Sequence, residues 1–141
     1  MNNSLLAIGG FIVIIATLVA AARSPQGRIA LSWIFLRMPV IRGLVMETYS
    51  ARTARTLSSL LSAGVDMIYS ITITREVVGN YFYQRVLADA EAQVTKGKGL
   101  SETFAKNPDL YPPLVAEMVA VGEETGRLSD LLKETAKFYE E

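Results

Sequence analysis

The sequence predicts an all-α protein, with an N-terminal transmembrane helix followed by an antiparallel bundle of about six helices. Three observations predict this fold. Residues 5–22 form an apolar run without a charged side chain. The rest of the chain repeats apolar residues at the three- and four-residue spacing of a helix. Glycine, proline and capping residues divide that part into segments of helix length, joined by short connections.

Composition restricts the chemistry of the chain. Its 141 residues include no cysteine and no histidine. Disulfides, thiolate metal sites, cysteine nucleophiles and histidine acid–base catalysis are therefore excluded. The length fits one modest domain with an appendage. We accordingly predict no catalytic residue, no metal ligand and no cofactor.

The apolar run at residues 5–22 would be about 27 Å long as a helix at ~1.5 Å per residue. This length approaches the roughly 30 Å hydrocarbon core of a bilayer. The alternative is a cleaved secretory signal, because Ala20, Ala21 and Ala22 resemble a cleavage site. However, residues 1–4 carry no positive charge and the apolar run is long for a signal. A membrane anchor is therefore the preferred interpretation.

Charge is distributed unevenly along the chain. Residues 23–55 contain six arginines and one glutamate, whereas residues 56–141 contain eight basic and thirteen acidic residues. Arginines that follow an apolar span predict a cytoplasmic location for residue 23 onward and a non-cytoplasmic one for residues 1–4. All six arginines would lie within reach of a membrane, so anionic headgroups explain them better than nucleic acid does.

Residues 23–39 form a juxtamembrane segment between the span and the bundle. Ser24-Pro25-Gln26-Gly27 is expected to break the first helix. Residues 28–37 are apolar and contain Trp33, so this piece either lies in the membrane interface or packs on the bundle. Met38 precedes a proline and is expected to mark a second break.

The bundle is predicted to occupy residues 40–141. Its first helix covers about 40–62 and ends near Gly64. Asp66 is the expected N-cap of a second helix at about 67–79. This segment is rich in β-branched residues, but its cap and helical surroundings favour helix over strand. A third helix is expected at about 81–96.

The second half of the bundle begins after Gly97. Ser101 is the expected cap of a short helix that ends near residue 106. Two prolines at 112 and 113 suit the first turn of a helix to about 121, with Gly122 near its end. A tight connection is expected to contain Glu123, Glu124 and Gly126. Ser129 is the expected cap of the last helix.

Two charged pairs are the candidate contact residues. Arg52 and Arg55 are three residues apart and share a helix face. They form either a solvated or salt-bridged face, or a contact to another domain or protein. Glu123 and Glu124 either bind basic residues of a partner, or bond backbone amides at the start of the last helix, or pair with the two arginines. Two carboxylates alone are weak support for a cation site.

Three segments resemble one protein family. They are residues 52–65, which contain the arginine pair and an Ala-Gly-Val turn, residues 94–101 with a Gly-x-x-Leu-Ser turn, and residues 112–128 with Gly-Glu-Glu-Thr-Gly. Their order and spacing over residues 36–141 resemble the F-type domain of type II secretion and type IV pilus platform proteins. The turn glycines that carry the resemblance are Gly64, Gly97, Gly122 and Gly126.

This resemblance implies a mechanical role in the bacterial inner membrane. Platform proteins of this kind contact a cytoplasmic assembly ATPase and relay its motion to pilin or pseudopilin subunits. The resemblance also implies a homo-oligomer, and a chain that corresponds to the second half of a platform protein, as a fragment or a split or shortened relative. Gly97-Lys98-Gly99 lacks the spacing of a phosphate-binding loop, so ATP hydrolysis would belong to a partner.

Two other functions fit the sequence less well. One is a secreted helical binding module with a cleaved signal. The other is a carboxylate-based metal hydrolase that uses Glu117, Glu123 and Glu124, which is poor chemistry without histidine.

Overall fold

The computed structural model describes residues 2–37 and 39–141, and these residues form eight α-helices without a β-strand. The helices are α1 (Asn2–Arg23), α2 (Pro25–Arg37), α3 (Pro39–Ser62), α4 (Met67–Val78), α5 (Tyr81–Thr95), α6 (Leu100–Ala105), α7 (Pro113–Thr125) and α8 (Leu128–Glu140). The prediction of an all-α fold is confirmed.

Helices α3 to α8 form a closed bundle. Each helix contacts the next along the chain, and α8 returns to pack along α3 in the most extensive contact of the molecule. Helix α2 contacts α3 and α5, whereas α1 contacts α2. Of the two expectations for residues 28–37, packing on the bundle is therefore observed, and Trp33 is still 52% exposed.

Helix α1 presents apolar side chains to its surroundings. Phe11, Val13 and Ile8 are each more than half exposed. Among the residues described, no helix combines the length and hydropathy needed to cross a membrane. The side chains at 5–7, 18, 21 and 22 lie outside the described set. The span at 5–22 stays a prediction.

Capping interactions set the ends of α4 and the start of α5. The Asp66 side chain accepts a hydrogen bond of 3.0 Å from the Tyr69 amide, as predicted for an N-cap. Asn80 caps α5 by accepting from the Phe82 amide at 3.0 Å. The β-branched segment is helical because α4 buries one face, which includes Ile71, against the bundle.

The breaks around α2 are shorter than expected. Only Ser24 interrupts the helices, since its hydroxyl accepts from the Gly27 amide at 2.9 Å and so caps the first turn of α2. The predicted break after the first helix is therefore confirmed at Ser24, although residues 25–27 already belong to α2. Met38 lies outside the described residues, and α3 begins at Pro39, where proline suits a first turn.

Two predicted serine caps were wrong. Helix α6 begins at Leu100, one residue before Ser101, and α8 begins at Leu128, one residue before Ser129. Neither helix has a side-chain hydrogen bond from its own N-cap residue. The Ser129 carbonyl instead accepts from the Ser58 hydroxyl at 2.8 Å, which ties α8 to α3.

An aromatic cluster forms the centre of the bundle. Tyr83 stacks on Tyr49 at 4.6 Å between ring centroids and meets the edge of Tyr111 at 5.2 Å. The Tyr111 hydroxyl, which is fully buried, forms a 3.0 Å hydrogen bond with the Thr53 hydroxyl. The buried Tyr83 hydroxyl has no partner among the described residues. These contacts connect α3 and α5 to the segment before α7.

Candidate functional site

Helix α7 extends further than the sequence suggested. It runs to Thr125, so Glu123 and Glu124 occupy its last turn and not the connection to α8. The expected helix end near residue 121 was wrong, because Gly122 is a buried helical residue. Only Gly126 and Arg127 separate the two helices.

Glu123 caps a neighbouring helix from a distance. Its carboxylate accepts hydrogen bonds from the Leu100 amide at 2.5 Å, the Ser101 amide at 3.3 Å and the Ser101 hydroxyl at 2.6 Å. These two amides lie in the first turn of α6, where backbone N–H groups have no acceptor within their own helix. One hypothesis from the sequence was that these glutamates bond backbone amides at the start of the last helix. Glu123 does bond backbone amides, but at the start of α6.

Gly99 lies directly against this carboxylate. A Cβ atom added at Gly99 would lie 2.8 Å from an Oε of Glu123, so a side chain there would force the carboxylate to shift. The Gly-x-x-Leu-Ser segment and the Gly-Glu-Glu-Thr-Gly segment thus meet at one carboxylate.

Gly122 has a different steric role. A Cβ there would lie 2.8 Å from the Cα of Leu128, so the absence of a side chain lets α8 begin directly against α7. Gly126 ends α7 with a φ of 70°, a conformation that glycine adopts without strain. Gly64 and Gly97 also have positive φ, at 82° and 80°, in the turns where the sequence placed them.

Glu124 differs from its neighbour. It is exposed on the outer side of α7, as is Glu117. Among the described residues, no three side chains of metal-ligating type are grouped in a way that suits an ion. The hydrolase hypothesis therefore lacks a geometric basis in the described part of the chain, because the Glu123 carboxylate is already hydrogen-bonded to the start of α6.

The two arginines lie on α3 but make different contacts. Arg55 forms two parallel hydrogen bonds to the Glu140 carboxylate on α8, one of them from Nε at 3.0 Å. Each side chain of this pair is 43% exposed. Arg52 lies 5.6 Å from the ring centre of Tyr49 and donates a 3.4 Å hydrogen bond to the Val78 carbonyl. Arg52 therefore connects α3 to the end of α4.

The hydrogen bonds between Arg55 and Glu140 affect both titrations. They lower the pKa of the Glu140 carboxyl and raise the pKa of the Arg55 guanidinium. The pair is thus charged throughout the physiological range. Glu140 was not among the sequence candidates, because it lies 85 positions from its partner and no local pattern connects them.

A shallow groove surrounds this ion pair. It measures about 450 Å³ between α3 and α8, and its lining includes Arg52, Arg55, Tyr139 and Glu140. Within the described residues, no bond joins the two arginines to Glu123 or Glu124. The candidate residues therefore form two separate features, an arginine groove and a carboxylate cap.

Comparison with known proteins identifies the family. Residues 53–141 match the family described as type II secretion system (T2SS), protein F. This match includes both the Glu123 cap and most of the arginine groove. The chain belongs to the T2SS protein F family.

Similarity to individual proteins agrees with this family assignment. The chain is 40% identical over 117 residues to the type IV pilus assembly protein PilC of Thermus thermophilus, covering 83% of this chain and 29% of the relative. It is 37% identical over 118 residues to the type II secretion system protein F of Xanthomonas campestris, covering 84% of this chain and 29% of that protein. The chain therefore spans less than a third of these relatives.

Proposed function

We propose that this chain is a platform component of a type IV pilus or type II secretion machine in the bacterial inner membrane. Membership of the T2SS protein F family is the observation that carries this proposal. Relatives at 40% and 37% identity are named for pilus assembly and for type II secretion. Both names describe membership of a machine and not an enzymatic reaction.

Two observations support the proposed topology. Helix α1 anchors the chain, residues 23–39 lie beside the headgroups, and the bundle at 40–141 faces the cytoplasm. The exposed apolar side chains of α1 support insertion, since such side chains are costly in water. The arginines that follow α1 support the orientation.

The proposed role in the machine is mechanical. The bundle contacts a cytoplasmic assembly ATPase and transmits its motion to pilin or pseudopilin subunits, without catalysis or a cofactor of its own. A homo-oligomer would present the same contact surfaces more than once. The arginine groove is the proposed contact surface, because Arg55 and Glu140 are both solvent-accessible and charged.

A charge swap separates a contact role from a structural one. Ion pairs at the protein surface contribute little to folding, so Arg55→Glu should leave the protein level nearly normal. If the groove binds a partner, Arg55→Glu stops filament assembly or secretion, and the swapped variant Arg55→Glu with Glu140→Arg does not restore it. Restoration of filament assembly or secretion by the swapped variant would instead indicate that the ion pair has a structural role.

Identification of the partners tests the proposal as a whole. A photo-crosslinker at Glu124, which is exposed and bonded to no other helix among the described residues, would be introduced into the protein in native membranes. Recovery of an assembly ATPase or of pilin-like subunits would support the platform function. Recovery of the chain from a soluble periplasmic fraction, without these partners, would overturn it.

A further inference from the structure

A cleft lies where α2 meets α3 and α5. It has a volume of about 770 Å³, and its lining includes Arg23, Arg28, Ser32, Tyr49, Asn80 and Tyr81. The residues of the candidate functional site do not contribute to it. The cleft therefore is a separate feature that the platform function leaves unexplained.

The cleft is rich in positive charge. Arg23 and Arg28 are exposed, and within the described residues neither forms an ion pair with a carboxylate. Glu76 is the one acidic residue among those that line the cleft.

Two tyrosines of the cleft wall contact arginines that lie outside the lining. Arg52 is 5.6 Å from the ring centre of Tyr49, and Arg85 is 6.0 Å from that of Tyr81. The lining itself holds two guanidinium groups, those of Arg23 and Arg28, against one carboxylate, and this excess of positive charge favours an anion.

The polar wall provides additional donors. The Asn80 amide group donates to the Ser32 hydroxyl at 3.3 Å and so fixes both side chains at the cleft. Asn80, Tyr81 and Gln84 bring the first turn of α5 to the same wall. The positive end of the α5 dipole at this wall favours a bound anion, in addition to the cap that Asn80 provides.

An apolar groove joins the cleft at Arg23. This groove of about 510 Å³ follows α1 and is lined by Ile12, Ile15, Ala16, Val19 and Ala20 before it ends at Arg23. Arg23 therefore lines both the apolar groove and the cationic cleft. An apolar groove next to two arginines has the chemistry that suits an acyl chain attached to a phosphate.

We propose that the cleft binds a phosphate group, supplied by the headgroup of an anionic phospholipid whose acyl chain lies along α1. This inference rests on the proposed membrane location of α1. The groove on α1 favours a lipid over a soluble phosphate compound, because a soluble phosphate compound has no acyl chain to occupy the groove. Bound lipid would fix the angle between α1 and the bundle, since α2 is the main contact of α1 among the described residues.

The test is a lipid titration of the purified chain in neutral detergent, followed by native mass spectrometry. The probes are phosphatidylglycerol, phosphatidylcholine and inorganic phosphate. We expect phosphatidylglycerol to bind more tightly than phosphatidylcholine, and millimolar inorganic phosphate not to displace it. Arg23→Gln with Arg28→Gln should weaken phosphatidylglycerol binding roughly 30-fold.

Matched variants complete the design. Arg127→Gln with Lys133→Gln removes the same charge from exposed positions outside the cleft lining and should leave binding unchanged. Arg23→Lys with Arg28→Lys should retain most of the affinity. Equal binding of both phospholipids, full displacement by inorganic phosphate, or wild-type affinity in the Arg23→Gln, Arg28→Gln variant would overturn the proposal.

Fractionation of the cells from which the chain is purified separates this proposal from the platform function. Absence of the wild-type chain from the membrane fraction would contradict the membrane location itself, and the lipid site with it. If the chain is in the membrane but substitution of the two arginines does not reduce lipid binding, only the lipid site in the cleft is refuted.

Discussion

Replacement of Glu123 by alanine should destabilise the bundle by about 2 kcal/mol. The carboxylate accepts three hydrogen bonds from Leu100 and Ser101, all at the start of α6. A hydrogen bond to a charged group contributes roughly 1.5–3 kcal/mol, and loss of a cap typically costs up to about 2 kcal/mol. The three bonds share one partly buried group and are not additive, so the total stays near the value of one strong interaction.

The assay is thermal and urea denaturation followed by circular dichroism. For a bundle of about 100 residues, a loss of 2 kcal/mol should lower Tm by roughly 10 °C. Glu124→Ala is the matched control, because it changes the same residue type in the same last turn of α7. Its side chain is exposed, so Tm should remain within about 2 °C of the wild type.

The difference between the two variants isolates the cap. Any change in helix propensity or in charge near the end of α7 affects both variants in a similar way. Equal Tm values for Glu123→Ala and Glu124→Ala would refute the reasoning, because the carboxylate of Glu123 would then contribute nothing through α6.

Four further substitutions have expected outcomes. Gly122→Ala should cost about 1–3 kcal/mol in urea denaturation through its clash with α8, whereas Gly43→Ala, in open space on α3, should stabilise by roughly 0.5–1 kcal/mol. Tyr83→Phe removes a buried hydroxyl without a partner in the described structure and should leave stability unchanged or higher; a loss above about 1 kcal/mol would contradict this. In Arg55→Gln, the pKa of the Glu140 carboxyl, measured by carbon NMR, should rise toward its ordinary value of about 4.3. The stabilisation by the ion pair is fully present above the pKa of Glu140 in the unfolded chain. It is lost as the pH falls through the lowered pKa of Glu140 in the folded protein.

Local signals in the sequence were enough to locate the helices of the bundle. Pro113, Gly64 and Gly97 lie at helix boundaries in the structure as predicted. Asp66 forms the expected cap. These residues act through their own backbone or their nearest neighbours, so their effect is visible in a short window of sequence.

The errors arose where a distant residue determines the local structure. Gly122 was taken as a sign of a helix end, but its missing side chain accommodates the backbone of Leu128. Ser101 was taken as a cap, yet its hydroxyl donates to Glu123, 22 positions away. Such a partner is defined only when α6 and α7 pack, and a single sequence contains no record of that packing.

The arginine groove illustrates the same limit. The spacing of Arg52 and Arg55 predicted a shared face on α3, but not that one would bond Glu140 and the other a tyrosine ring and a carbonyl. The role of these arginines toward a partner stays a prediction.

The pairing of α3 with α8 has a consequence for folding. The first helix of the bundle finds its main partner in the last one, and the contact between Arg55 and Glu140 spans 85 positions. Contacts of such large sequence separation form late, because a long loop must close first. During synthesis on the ribosome, the part of α3 that packs on α8 therefore remains uncovered until α8 has emerged. Truncation within α8 should accordingly expose that part of α3 to chaperones and proteases.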